Sequence, residues 1–184
     1  MKVMHQGAII SSGILLGTGM GGFVDGILLH QILQWHNMLS SVRPPVDLVD
    51  MKYNMVWDGL FHALTWTMVS LGLWRLWVAG KRTDVPWSTR TFVGSLVLGW
   101  GLFNFVEGMI DHQILGIHHV HPGEGQLAWD LGFLAFGLIE MVAGWISIRA
   151  GRADTTPRGG LAFRTHEANN VVDGSPQPGG RLPA

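Results

Sequence analysis

Four stretches of this chain are each long and apolar enough to cross a hydrocarbon core of roughly 30 Å, which takes about 20 helical residues. They run from Gly7 to Leu33, Val56 to Ala79, Thr91 to Ile117 and Leu127 to Ile148. In lipid only helices and closed barrels satisfy their own backbone, and these runs have helical length without strand alternation. The expected fold class is all-α: an integral membrane four-helix bundle within residues 1–150. A disordered cytoplasmic tail is expected over 151–184, where Gly, Pro, Thr, Arg and Asn replace the apolar pattern. The first stretch shows no small-residue cleavage site before His30, so it reads as a retained helix and not a secretory signal.

Basic residues crowd one set of helix ends: Lys2, Lys81, Arg82, Arg90, Arg149 and Arg152. The other set has only Arg43 and Lys52, offset by Asp47, Asp50 and Glu124. The positive-inside rule then places both termini in the cytoplasm, with the bilayer as the chain's main partner. Trp57, Trp74, Trp77, Trp87 and Trp129 fall at span ends, where an amphipathic ring sits well among headgroups. Arg75, the one basic residue inside a span, is expected to meet Glu140 or to snorkel to the headgroups. A formal net charge of -1 with no basic stripe excludes a nucleic-acid partner, and the absence of cysteine excludes thiolate metal sites.

Shifting the chain on itself by 82 residues lays Phe23–Met38 (FVDGILLHQILQWHNM) over Phe105–Val120 (FVEGMIDHQILGIHHV), with eight of sixteen positions identical. Gly26 meets Gly108, His30 meets His112, His36 meets His118, and Asp25 meets Glu107. After loops of different length, Trp57, Asp58 and Phe61 meet Trp129, Asp130 and Phe133. The pattern predicts a duplicated two-helix hairpin arranged as a parallel repeat about the membrane normal. The small residues between Gly13 and Gly22 read as close helix packing; GMGG lies inside a span and is no nucleotide loop.

Ionisable side chains inside a span are costly unless paired, and this chain has many. Ten are candidate metal ligands: Asp25, His30, His36, Asp58, His62, Glu107, Asp111, His112, His118 and Asp130. Counting depth along straight helices gives three layers: His36, His118 and His119 with Asp58 and Asp130 outermost, then His30, His62, His112 and Asp111, then Asp25 and Glu107. On that count His30, His62 and His112 converge at one level. The angles are less accommodating. At about 100° per residue, His30 and His112 point roughly 140° away from Asp25 and Glu107, so two sites, a supporting role for the acids, or helix distortion near Gly26 and Gly108 would be needed. Metal-free alternatives are an inter-helical histidine network and a protonated Asp25–Glu107 pair. His36, His119 and His121 could equally be solvated at the interface, and His5 and His166 read as solvent-exposed.

The segments VDGILLHQILQWHNM, WDGLFHALTW and EGMIDHQILGIHHV resemble a family of small bacterial inner-membrane proteins classed as a domain of unknown function, over Gly7 to about Arg149. The resemblance implies a four-helix prokaryotic membrane protein and carries over no catalytic residue. It also implies a link to respiratory-oxidase assembly, hence copper or haem traffic. The leading expectation is a redox-active membrane metalloprotein, open to homo-oligomerisation, holding one or two ions of iron, copper or zinc, and open to a non-haem oxidoreductase activity with a respiratory-chain partner. The alternatives are a metal conduit or metallochaperone and a haem b protein with His30 and His112 as axial ligands.

Overall fold

A computed structural model describes residues 6–153, so the expected tail beyond residue 153, Lys2, His5 and His166 lie outside the described residues, and Gly151, expected to open the tail, instead closes the last helix. The described chain is all-helical: α1 (Gly7–Val24) continues into a π-helix, π1 (Asp25–Ile32), followed by α2 (Leu48–Gly80), α3 (Thr89–Glu107), a second π-helix, π2 (Gly108–Ile114), and α4 (Gln126–Gly151). Three helical units are long and apolar enough to cross a membrane, namely Gly7–Ile32, Thr89–Ile114 and Gln126–Gly151. The fourth, α2, starts well before Val56 and carries Asp58, His62 and Arg75 along its length. Asp47 caps it by accepting the Val49 and Asp50 N–H groups at 2.8 Å.

Burial is inverted relative to a water-soluble protein. Ser12, Asp25, His30, Asn54, Asp58, Thr65, Thr91, Ser95, Asn104 and Asp130 are all buried, whereas Trp66, Trp74, Ile139 and Val142 are half or more exposed. Such an apolar exterior suits lipid, and polar residues and glycines make up most of the interior. The central pair is α1 with α3; α2 packs on α1 and α4 on α3. At the crossing, a Cβ on Gly17 would strike the Leu96 backbone and one on Gly99 the Ile14 backbone, and Thr18 Oγ1 donates to the Gly99 carbonyl at 3.0 Å. Both contacts join positions that correspond under the 82-residue shift, since Gly17 corresponds to Gly99 and Ile14 to Leu96.

The expected partnership of Arg75 with Glu140 is not formed. Arg75 donates to Ser11 Oγ on α1 at 3.1 Å, and Glu140 accepts from Asn104 Nδ2 on α3 at 2.8 Å. The helix order accounts for this, because α2 and α4 pack on different members of the central pair. Among the tryptophans expected at span ends, Trp57, Trp74, Trp77 and Trp129 are 40% or more exposed, which leaves their rings free to meet headgroups. Lys81 lies over the Trp77 ring at 4.9 Å.

Candidate metal centre

The two π-helices determine where the ligands point. An i→i+5 ladder stacks residues five apart, whereas an α-helix would turn them well away from each other. Asp25 and His30 are five apart in π1's sequence, and Glu107 and His112 span the same interval at the start of π2. As a result His30 Nε2 comes to 3.1 Å from Asp25, and His112 Nε2 to 3.0 Å from Glu107. The angular conflict predicted for straight helices is removed by helix distortion at the two Gly26/Gly108 sites.

Beyond each π-helix the chain turns back. Leu33 N–H closes onto the Leu28 carbonyl and Leu115 N–H onto that of Ile110; the reversal then passes through left-handed Gln34 (φ 51°) and Gly116 (φ 57°). The loops return toward the helices because acids on α2 and α4 hold them. Asp58 accepts from Met38 N–H at 2.8 Å and from Asn37 Nδ2 at 2.8 Å, and Asp130 accepts from Val120 N–H at 3.1 Å and meets His119 Nδ1 at 2.7 Å. His36 and His118 are thereby drawn in beside His30 and His112.

The four imidazoles pack directly against one another: centroids lie 4.5 Å apart for His30 and His36, 4.7 Å for the stacked His36 and His118, and 4.9 Å for His118 and His112. Each ring uses Nδ1 toward an acceptor. His30 meets Asp58 at 3.0 Å, His36 donates to the Val120 carbonyl at 2.9 Å, His118 to the Met38 carbonyl at 3.0 Å, and His112 approaches Asp130 at 3.5 Å, too poorly aligned for a hydrogen bond. A donating Nδ1–H on His36 leaves its Nε2 with the lone pair, the tautomer that a metal ligand requires, whereas Nε2 of His30, His112 and His118 lies 3.1, 3.0 and 2.8 Å from Asp25 and Glu107 carboxylate oxygens. The Nε2 atoms of His30, His36 and His112, and Oε2 of Glu107, are buried without a hydrogen-bond partner. His118 Nε2 lies 2.8 Å from Glu107 Oε1. Burial first, then the His118 and His30 imidazoles, lower the pKa of the loop residue His36 to about 3 and hold its ring neutral.

Two sets of three groups could each hold an ion: His30, His36 and His118, and Glu107, His112 and His118. A family model described as a predicted membrane protein family, DUF2243, matches residues 12–151, most of the chain. The chain belongs to the DUF2243 family. The matched region runs from within α1 to the end of α4 and includes all ten candidate ligands. No curated protein and no solved structure matches it.

The structure sorts the ten candidates in this DUF2243 chain. Asp25, His30, His36, Glu107, His112 and His118 come together; Asp58 and Asp130 stand behind them on Nδ1 atoms and loop N–H groups. His62 is set apart. Its Nδ1 meets its own helix at the Asp58 carbonyl (2.8 Å), and its ring lies against Phe23 and Phe61 beside Gly26. Asp111 belongs to neither three-group set and lines a groove between α2 and α3. The expected layering by depth fails for a single reason: helices one and three end at Ile32 and Ile114 rather than running on to His36 and His118. His119 serves Asp130, and His121 packs between Trp35 and Trp129.

Proposed function

We propose that this DUF2243 protein is a four-span bacterial inner-membrane metalloprotein, formed by a duplicated helical hairpin, that holds one or two transition-metal ions among Asp25, His30, His36, Glu107, His112 and His118. The observation that carries the reading is the convergence of buried donors: one ligand atom each from His30, His36 and His118, and one each from Glu107, His112 and His118, lie within 4.8 Å of one another in each set, and the Nε2 atoms of His30, His36 and His112 are buried without a hydrogen bond. Leaving such atoms unsatisfied costs about 1–3 kcal/mol each, and a divalent ion offsets that cost. A mixed imidazole and carboxylate set suits iron, copper, manganese or zinc, and iron or copper would supply electron-transfer chemistry. The protein's part is to fix the His30, His36 and His118 rings through Nδ1, keep His36 neutral and exclude water. The duplication is supported by contacts that recur at equivalent positions, such as His36 on Val120 and His118 on Met38, each offset by 82 residues.

A resident centre is favoured over a conduit, because the ligands form one compact group and not a series of separated steps. A haem fits poorly: His36 and His118 fill the space between His30 and His112 that a porphyrin would need. Metal analysis with an optical spectrum of purified protein tests the reading. At least one tightly held metal per chain and no Soret band are expected; a Soret band, or well under one metal per chain under every loading condition, would overturn it. An ion that exchanges within seconds would favour the conduit.

Asp58 gives a finer test. Asp58→Asn retains a carbonyl oxygen for the Met38 N–H but removes the charge behind His30, and metal affinity measured by chelator competition should fall by roughly 10–100-fold. Unchanged affinity would remove Asp58 from the centre's support.

The orientation follows from the charges at the helix ends, with the centre in the outer half of the bilayer and both termini in the cytoplasm. Pro44→Cys and Pro122→Cys should be labelled by an impermeant thiol reagent in intact cells, and Asp84→Cys only after lysis. The opposite labelling pattern would invert the topology.

A further inference from the structure

A groove of about 360 Å³ opens between α2 and α3. Leu64 and Met68 form part of one wall, Leu102, Phe103 and Val106 the other, and Glu107 and Asp111 lie on its α3–π2 side. Leu64 is 54% exposed and Val106 43%, so in a membrane the groove faces lipid. Phe61 lines it as well and stacks on His30, with ring centroids 5.7 Å apart and planes at 19°.

Two observations give this groove a ligand chemistry. Its acids have acceptor capacity to spare: Asp111 makes no side-chain hydrogen bond among the described residues, and Glu107, only 8% exposed, has an Oε2 without a partner. Its lining contains no Lys or Arg, so nothing there would fix a phosphate headgroup. The groove is also particular to one half of the chain. Under the 82-residue shift Phe103 corresponds to Gly21 and Asp111 to Leu29, so the aromatic wall and the second acid are not demanded by hairpin packing. A carboxyl group at this depth is expensive without a partner, and a donor arriving from the bilayer would supply one.

We infer that the groove binds a membrane-dissolved hydroxyaromatic amphiphile of the quinol class, with its ring between Phe61, Phe103 and Met68 and one hydroxyl group donating to Asp111 beside Glu107. Aromatic and thioether walls suit a flat ring, carboxylate acceptors suit a hydroxyl donor, and the open side suits an apolar tail. Glu107 is shared with the histidine cluster but Asp111 belongs to neither three-group set, so binding to metal-free protein and its dependence on Asp111 test the groove separately from the proposed metal centre.

The test uses the full chain in lipid nanodiscs, treated with chelator, and two probes: decylhydroquinone and its dimethyl ether, which has the same shape without donors. Saturable binding of the hydroquinone at one per chain is expected, with the ether roughly tenfold weaker, the worth of a lost hydrogen bond to a charged acceptor. Asp111→Leu should lower hydroquinone affinity to the level of the ether, Asp111→Asn should retain most of it through its amide oxygen, and Met68→Trp should block both probes. Equal affinity for the two probes, an unchanged Asp111→Leu variant, or no saturable binding would overturn the inference; the first of these would mean that the groove holds only acyl chains.

Discussion

Replacing His118 with alanine is expected to empty the centre, taking metal content from one or more ions per chain to below about a tenth of that. His118 belongs to both groups that could hold an ion, so its loss leaves each with two protein ligands. Few divalent sites in proteins survive on two ligands when the usual complement is three or four. The variant should still insert, because the central pair is joined through glycine contacts on α1 and α3 that lie away from the cluster. His62→Ala is the matched control, since its ring packs on Phe23 and Phe61 outside the cluster, and its metal content should equal that of the parent. Elemental analysis of the two purified variants decides the matter. Loss of metal in both, or in neither, would contradict the assignment.

Gly17→Val should cause the largest loss of fold stability of any conservative change in the molecule. A side chain there meets the Leu96 carbonyl and backbone, which cannot rotate aside as a side chain would, so α1 and α3 must separate. Overpacking of this kind costs about 1–3 kcal/mol and occasionally more. At 2–4 °C per kcal/mol, that is a fall in Tm of up to roughly 10 °C, measured by thermal unfolding in detergent. Gly59→Val, whose Cβ would meet nothing, should leave Tm within about a degree apart from a small helix-propensity effect. If the two behave alike, the crossing of α1 and α3 is not as close as described.

The helices and most of the site could be read from the chain because both leave strong marks: long apolar runs, and acids and imidazoles where lipid makes them expensive. The position of His36 and His118 could not. A depth count assumes that a helix continues until its apolar pattern stops, and the pattern runs past Ile32 and Ile114 through residues that in fact turn back. Gln34 conceals that reversal, being a residue that seldom adopts positive φ, whereas its counterpart Gly116 adopts it freely. The distortion of helices one and three did leave a sign, an acid and a histidine five apart in each half with glycine after the acid. That interval is awkward for an α-turn and natural for a π-turn. His62 misled for the opposite reason: its depth suits the cluster, but its Nδ1 is committed to its own helix at the Asp58 carbonyl.

The crossed bonds from His36 to Val120 and from His118 to Met38 also bear on how the molecule is made. Val120 lies 84 residues after His36 in the chain, so at 5–20 residues per second the ribosome needs about 4–17 s to supply the acceptor for a ring already synthesised. Through that interval the His36 ring lacks its Nδ1 acceptor, whereas His30 already meets Asp25 and Asp58 on the first two helices. Ligand geometry is therefore complete only after the second hairpin has entered the bilayer. A chain truncated before Val120 would lack the acceptor that orients His36.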